Sequence, residues 1–195
     1  LHSFCLSITN NTSLASLKGL DGLKSIGQCL SIAYNPALTD LNGLDSLTKV
    51  GSCTFQNSEF DGPRLSLEIV YNKSLKTLAG LSGVDSLTIL IISDNDSLSS
   101  LNGLGRLRSI GNIFWVRYNA SLTSLNGLDS LTSIGGDLEL KGNAPLTSLS
   151  GLDNLTSIGG DLELRDNAPL TSLSGLDNLT SIGGYLSVVY NDSLT

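Results

Sequence analysis

The chain has 195 residues, 40% of them apolar and only 15% charged, with 21 glycines and no methionine. The net charge of −7 excludes nucleic acid and anionic membrane surfaces, which both require a concentrated basic face to displace counterions. No apolar run approaches the roughly 18 residues needed to cross a bilayer, so membrane insertion is not expected within this segment. The start, Leu1-His2-Ser3-Phe4-Cys5, has neither a methionine nor a charged-then-apolar leader, as expected of an excised or processed part of a longer chain or assembly.

An asparagine recurs at Asn11, Asn35, Asn72, Asn95, Asn119, Asn143, Asn167 and Asn191, and five of the seven steps are 24 residues, with one long by 13 and one short by one. A fixed period in this range, with leucines at constant offsets, is the mark of a solenoid whose coils bury their apolar faces against one another. The whole chain, 1–195, therefore reads as one domain of about eight coils.

The segment before each asparagine alternates apolar and polar residues and predicts a short strand. In chain order the inward pairs are Leu6/Ile8, Leu30/Ile32, Leu67/Ile69, Leu90/Ile92, Phe114/Val116, Leu138/Leu140, Leu162/Leu164 and Leu186/Val188. Equivalent strands must run parallel, and at a spacing of about 4.8 Å eight coils make a rod about 38 Å long. The return segments, such as Leu170–Gly184, carry a central glycine and a glycine pair. Being rich in Ser and Thr, they predict short extended pieces and turns rather than helix. Each recurring asparagine stands where the chain bends inward, and its amide is expected to satisfy backbone groups of its own and the next coil.

Cys5 and Cys29 occupy the same outward position in neighbouring coils, and Cys53 shares that register. At about 4.8 Å between Cα atoms a disulfide fits, so Cys29 can pair with either neighbour, and a bridge to Cys5 would staple the first coil. An excess of 13 residues falls between coils two and three. It predicts an inserted loop over 53–65 that contains Phe60.

Further along, the outward row turns apolar. Ile89 and Ile91 in one coil are followed by Ile113, Trp115 and Arg117 in the next. Exposed Trp, Ile and Arg together have the composition of binding hot spots, and contiguous apolar patches mark interfaces. The competing expectation is that the inserted loop folds over this part of the sheet.

Coils six and seven, from Leu122 and Leu146, are near duplicates. They set Asp137, Glu139, Asp161 and Glu163 side by side on the outer face. Four acids could attract calcium, but Lys141 and Arg165 lie among them, and a solvated face is the preferred reading. No metal or other cofactor is expected.

Asn10, Asn154 and Asn178 begin Asn-x-Ser/Thr triplets away from the buried ladder and are candidate glycosylation sites. Catalysis is not expected, and no catalytic residues are assigned. His2 is the one histidine, and the serines recur with the period, as scaffold residues do.

The stretch Leu162-Glu163-Leu164-Arg165-Asp166-Asn167 resembles the strand of leucine-rich repeats, and LSGLDNLTSI resembles internalin-type return segments. Two departures stand out: Ile158 lies four residues before Leu162, and Leu170 lies three after Asn167. This modified pattern, with Ile-Gly-Gly before the strand, is more similar to receptor L-domains, and related repeats resemble fungal cell-wall proteins. The resemblance implies an all-β fold, a right-handed parallel β-solenoid with an asparagine ladder, in a secreted or cell-surface protein. Receptor L-domains carry a disulfide near their first coil, which favours Cys5–Cys29. The function expected on this reading is non-catalytic recognition of a protein or glycan through the strand face around Trp115, Arg117, Ile91, Ile113 and Phe60. The alternative is a structural element of a cell wall or extracellular filament, in which copies of the chain join end to end.

Overall fold

The computed structural model describes residues 5–53 and 65–195. Phe60, His2 and the body of the predicted inserted loop lie outside the described residues.

Eight four-residue strands form one sheet: β1 (Leu6–Thr9), β3 (Leu30–Ala33), β5 (Leu67–Val70), β7 (Leu90–Ser93), β9 (Phe114–Arg117), β11 (Leu138–Lys141), β13 (Leu162–Arg165) and β15 (Leu186–Val189). Every neighbouring pair is parallel and in register, for example Leu138 with Phe114 and Leu162 with Leu138. The chain is a parallel β-solenoid: eight strands, and thus seven full turns between the first and the last.

The return segments contribute only two-residue strands. Of these, β2 (Ser25–Ile26) pairs with β4 (Lys49–Val50). The others, β6 (Ser86–Leu87), β8 (Ser109–Ile110), β10 (Ser133–Ile134), β12 (Ser157–Ile158) and β14 (Ser181–Ile182), form a second sheet. This narrow sheet is broken between β4 and β6, where the chain has passed through the insertion. The predicted extended pieces and turns are found, and no described residue is helical.

The interior is a stack of leucine layers. From coil two onward the strand leucines and isoleucines are buried, as are the return-segment leucines Leu38, Leu41, Leu44 and Leu47 and their counterparts. Exposure returns in the last coil, where Leu186 is 56% accessible.

The asparagine ladder is continuous. The backbone N–H of Asn119 donates to Oδ1 of Asn143 at 3.1 Å, and that of Asn143 donates to Oδ1 of Asn167 at 3.0 Å. The Asn143 Nδ2 donates backward to the Val116 carbonyl at 2.9 Å, so one residue, through its side-chain amide and its backbone N–H, ties three coils together. Asn35, Asn72, Asn95, Asn119, Asn143 and Asn167 are fully buried, while Asn11 and Asn191 serve the two ends of the same ladder.

Two backbone requirements explain residues that repeat for no apolar reason. The central return glycine has φ between +105° and +119° in seven coils, from Gly19 to Gly175. From Gly43 onward a Cβ there would also fall on the leucine carbonyl of the preceding coil, so glycine is needed for both conformation and space. The residue before each ladder asparagine is left-handed as well: Asn10, Tyr34, Tyr71, Asp94, Tyr118, Gly142, Asp166 and Tyr190.

Candidate functional site

The predicted binding face is built by the pleat. Alternate residues of a strand face opposite ways, so Ile91, Trp115 and Arg117 project outward from β7 and β9, with Ile91 directly beside Trp115 in register. Trp115 is half-buried, and the Arg117 guanidinium lies 3.7 Å from its ring centroid, a stacked cation–π pair. Arg117 also forms an ion pair with Glu139 of the next coil. The Arg117 Nε is buried without a hydrogen-bond partner, so the charge is held in place yet incompletely satisfied.

The apolar row is buried at one end and half-buried along the rest. Ile89 is fully buried in a second, outer cluster with Cys29, Cys53 and Leu65, against which Ile91 and Ile113 pack half-buried. Cys53 and Leu65 close the root of the insertion by an antiparallel bridge, the Cys53 N–H donating to the Leu65 carbonyl at 3.0 Å. The root of the insertion thus covers one end of the row and leaves Trp115 and Arg117 at its margin. The sequence could not locate this edge, because a repeat pattern does not show where an inserted segment lies.

The three cysteines converge. Cα separations are 4.6 Å for Cys5 to Cys29 and 5.4 Å for Cys29 to Cys53, and the Cys29 sulfur is in bonding contact with both neighbours. One sulfur carries one S–S bond, so the expected Cys5–Cys29 disulfide and the alternative Cys29–Cys53 are both geometrically open.

The four acids of coils six and seven make contacts within the solenoid. Asp137 Oδ1 accepts the Asp161 N–H at 2.9 Å, and Asp161 Oδ1 accepts the Tyr185 N–H at 2.9 Å. Glu139 is paired with Arg117, and Glu163 lies 4.0 Å from Arg165. Each acid already has a partner within the solenoid. The Asp161 charge, with burial and the more distant Glu163 and Asp137, raises the Tyr185 phenol above its ordinary value.

The three predicted sequon asparagines are exposed. Asn10 sits in the left-handed turn, while Asn154 and Asn178 each donate Nδ2 to a carbonyl of the preceding coil, Asp129 at 2.7 Å and Asp153 at 2.6 Å. A glycan at either of these two would have to displace that bond.

A row of exposed tyrosines was not anticipated. Tyr34 stacks on Tyr71 with ring centroids 4.7 Å apart, and the Tyr118 ring occupies the space where a side chain on Gly142 would begin. Their left-handed backbone, uncommon for an aromatic residue, carries no mark in the sequence beyond the Asn, Asp and Gly that share the position.

No helix among the described residues is long and apolar enough to cross a membrane. Comparison of the chain with protein-family models, with curated proteins and with the solved structures found no match.

Proposed function

We propose that this chain is a non-catalytic, extracellular recognition module that binds a protein or a glycan through the outer face of its eight-stranded sheet. The observation that carries this reading is the Trp115–Arg117 pair. It lies at the margin of an apolar cluster, on a face whose neighbouring coils are charged and self-paired. Aromatic and arginine anchors beside apolar surface are what specific interfaces use for most of their energy. The solenoid holds them on rigid strands, which limits the ordering cost of binding. A receptor L-domain-like role agrees with the repeat pattern and with cysteines placed to form a disulfide. The non-catalytic reading rests on the scarcity of histidine and on serines that repeat as scaffold.

The test is a binding screen of the tetramerised chain against printed glycans and purified secreted proteins. Hits are repeated with Trp115→Ala and with Glu163→Gln, which lies on the same face two coils away. Specific hits lost in the first variant and kept in the second support the strand-face site. Hits indifferent to Trp115→Ala move the site elsewhere.

A second reading, a structural subunit joined end to end, is favoured by the last coil. There Leu173 and Leu186 are 38% and 56% accessible beside the half-buried Leu176, Leu179 and Ile182, and β15 has one unpaired edge. An apolar layer beside an open strand edge is a surface on which a second copy can stack. Concentration-dependent rods seen by electron microscopy, abolished by Leu186→Glu, would support the second copy.

A further inference from the structure

Cys5, Cys29 and Cys53 bring an odd number of sulfurs to one place. The Cys5 and Cys53 sulfurs are 3.2 Å apart, and both touch Cys29. The Cα separations of 4.6 and 5.4 Å both lie within the span of about 4.4–6.8 Å that a disulfide bridges without backbone movement. Oxidation of the trio therefore yields one disulfide with one thiol held against it. The three differ in access: Cys29 and Cys53 are buried at 0% and 2%, whereas Cys5 is half-exposed.

We infer that the trio is a thiol–disulfide exchange site. Cys29 is the constant member of the bond, Cys5 and Cys53 alternate as its partner, and Cys5, when released, is a modification site for low-molecular-weight disulfides. In the internal step the Cys5 thiolate attacks the Cys29 sulfur and forms a Cys5–Cys29 bond. The electron pair of the Cys29–Cys53 bond leaves on the Cys53 sulfur, which takes up a proton from water. One disulfide replaces another, and no oxidant is consumed. In the external step the free Cys5 thiolate attacks a small disulfide, forms a mixed disulfide at Cys5 and releases one small thiolate. The small disulfide is the oxidant.

Burial makes the two states unequal in chemistry. A thiol at Cys53 is enclosed among Leu65, Ile89 and Cys29, where the thiolate is disfavoured and reagents do not reach it. A thiol at Cys5 meets solvent. The two states also tie different parts together, since Cys29–Cys53 anchors the root of the insertion to coil two and Cys5–Cys29 anchors coil one.

The experiment uses the natively purified, unreduced chain. Part of the sample is quenched in acid, denatured at low pH, alkylated with N-ethylmaleimide and mapped by peptide mass spectrometry. The result expected is two species: Cys29–Cys53 with label on Cys5, and Cys5–Cys29 with label on Cys53. A native sample labelled at neutral pH should convert wholly to the Cys5-labelled form. Its slow phase should accelerate about tenfold per pH unit below the thiol pKa, as thiolate attack requires. Oxidised glutathione in place of the maleimide should add one glutathione, at Cys5. Cys53→Ser and Cys5→Ser each keep one disulfide, and with it the fold, and should take up no label. A single disulfide isomer at every pH, a Cys5–Cys53 bond as the main species, equal labelling of Cys53 and Cys5, or three free thiols would each overturn the inference.

Discussion

Coils six and seven, around β11 and β13, and coils two to four, around β3, β5 and β7, share one interior and differ entirely outside. In both, strand leucines and isoleucines, return-segment leucines and a buried asparagine occupy the same places. The position preceding the strand shows the divergence. In coil seven it is Asp161, whose carboxylate caps the next coil, and in coil four it is Ile89, fully enclosed with Cys29, Cys53 and Leu65. The period dictates what faces inward because each layer rests on an identical layer. What faces outward answers to whatever lies over it, and there the molecule is free to specialise.

The largest expected effect tests the layer-on-layer constraint. Gly151→Ala must hold alanine at φ +106° and also push its Cβ into the Leu125 carbonyl, whereas Gly19, at φ +105° with no preceding coil described, has nothing within 4 Å of that position. Adding backbone strain to overpacking gives a loss of about 3–5 kcal/mol for Gly151→Ala, against about 1–3 kcal/mol for Gly19→Ala. Urea denaturation of the two variants measures the difference. Equal losses would show that conformation alone, and not the preceding coil, demands glycine.

Next in size is the outer cluster. Ile89→Ala opens a cavity under the root of the insertion and should cost about 2–3 kcal/mol, at the lower end for a buried isoleucine because the cluster is small. Asp161→Ala, at the equivalent position in coil seven, removes an exposed hydrogen bond from the Tyr185 N–H and should cost less than about 1 kcal/mol. If the two match, the second core is not a stabilising unit and the contrast between the regions fails.

Asn143→Ala probes what the regions share. It leaves the Asn119 N–H without its acceptor and the Val116 carbonyl without its donor, and should destabilise by about 1–3 kcal/mol. An unchanged melting temperature would break the ladder argument for every coil.

The inward pairs, the parallel register and the ladder were legible in the sequence because they recur every 24 residues and each has one physical cause. The left-handed turn before the ladder was not, because Tyr34, Tyr71, Tyr118 and Tyr190 hide a conformation that Gly142, Asn10, Asp94 and Asp166 favour. The burial of Ile89 was open for another reason: it depends on the insertion, a non-local neighbour with no place in the period. At the candidate site the sequence named Trp115 and Arg117 but could not show that they stack on each other, or that Arg117 reaches Glu139. It likewise put three cysteines in one register without revealing that all three sulfurs meet.

The smallest effect lies on the charged face. Tyr185 is exposed, and its phenol is raised above its ordinary value of 10.0, first by the Asp161 charge, then by slight desolvation against the neighbouring coil, and then by Glu163 and Asp137. A folded-state value above the unfolded one favours the folded chain below pH about 10, and that contribution is lost as pH rises through the folded value. Tyrosinate difference absorbance between the wild type and Tyr185→Phe isolates this one ring. It should ionise above 10.0, and in Asp161→Asn it should move back toward that value. Because the phenol is in water, the accompanying change in stability should be too small to detect by melting. A shift that survives Asp161→Asn undiminished would mean that the carboxylate row of coils six and seven is not the source of the field, and that this face is not the electrostatic counterpart of the apolar one around Ile89.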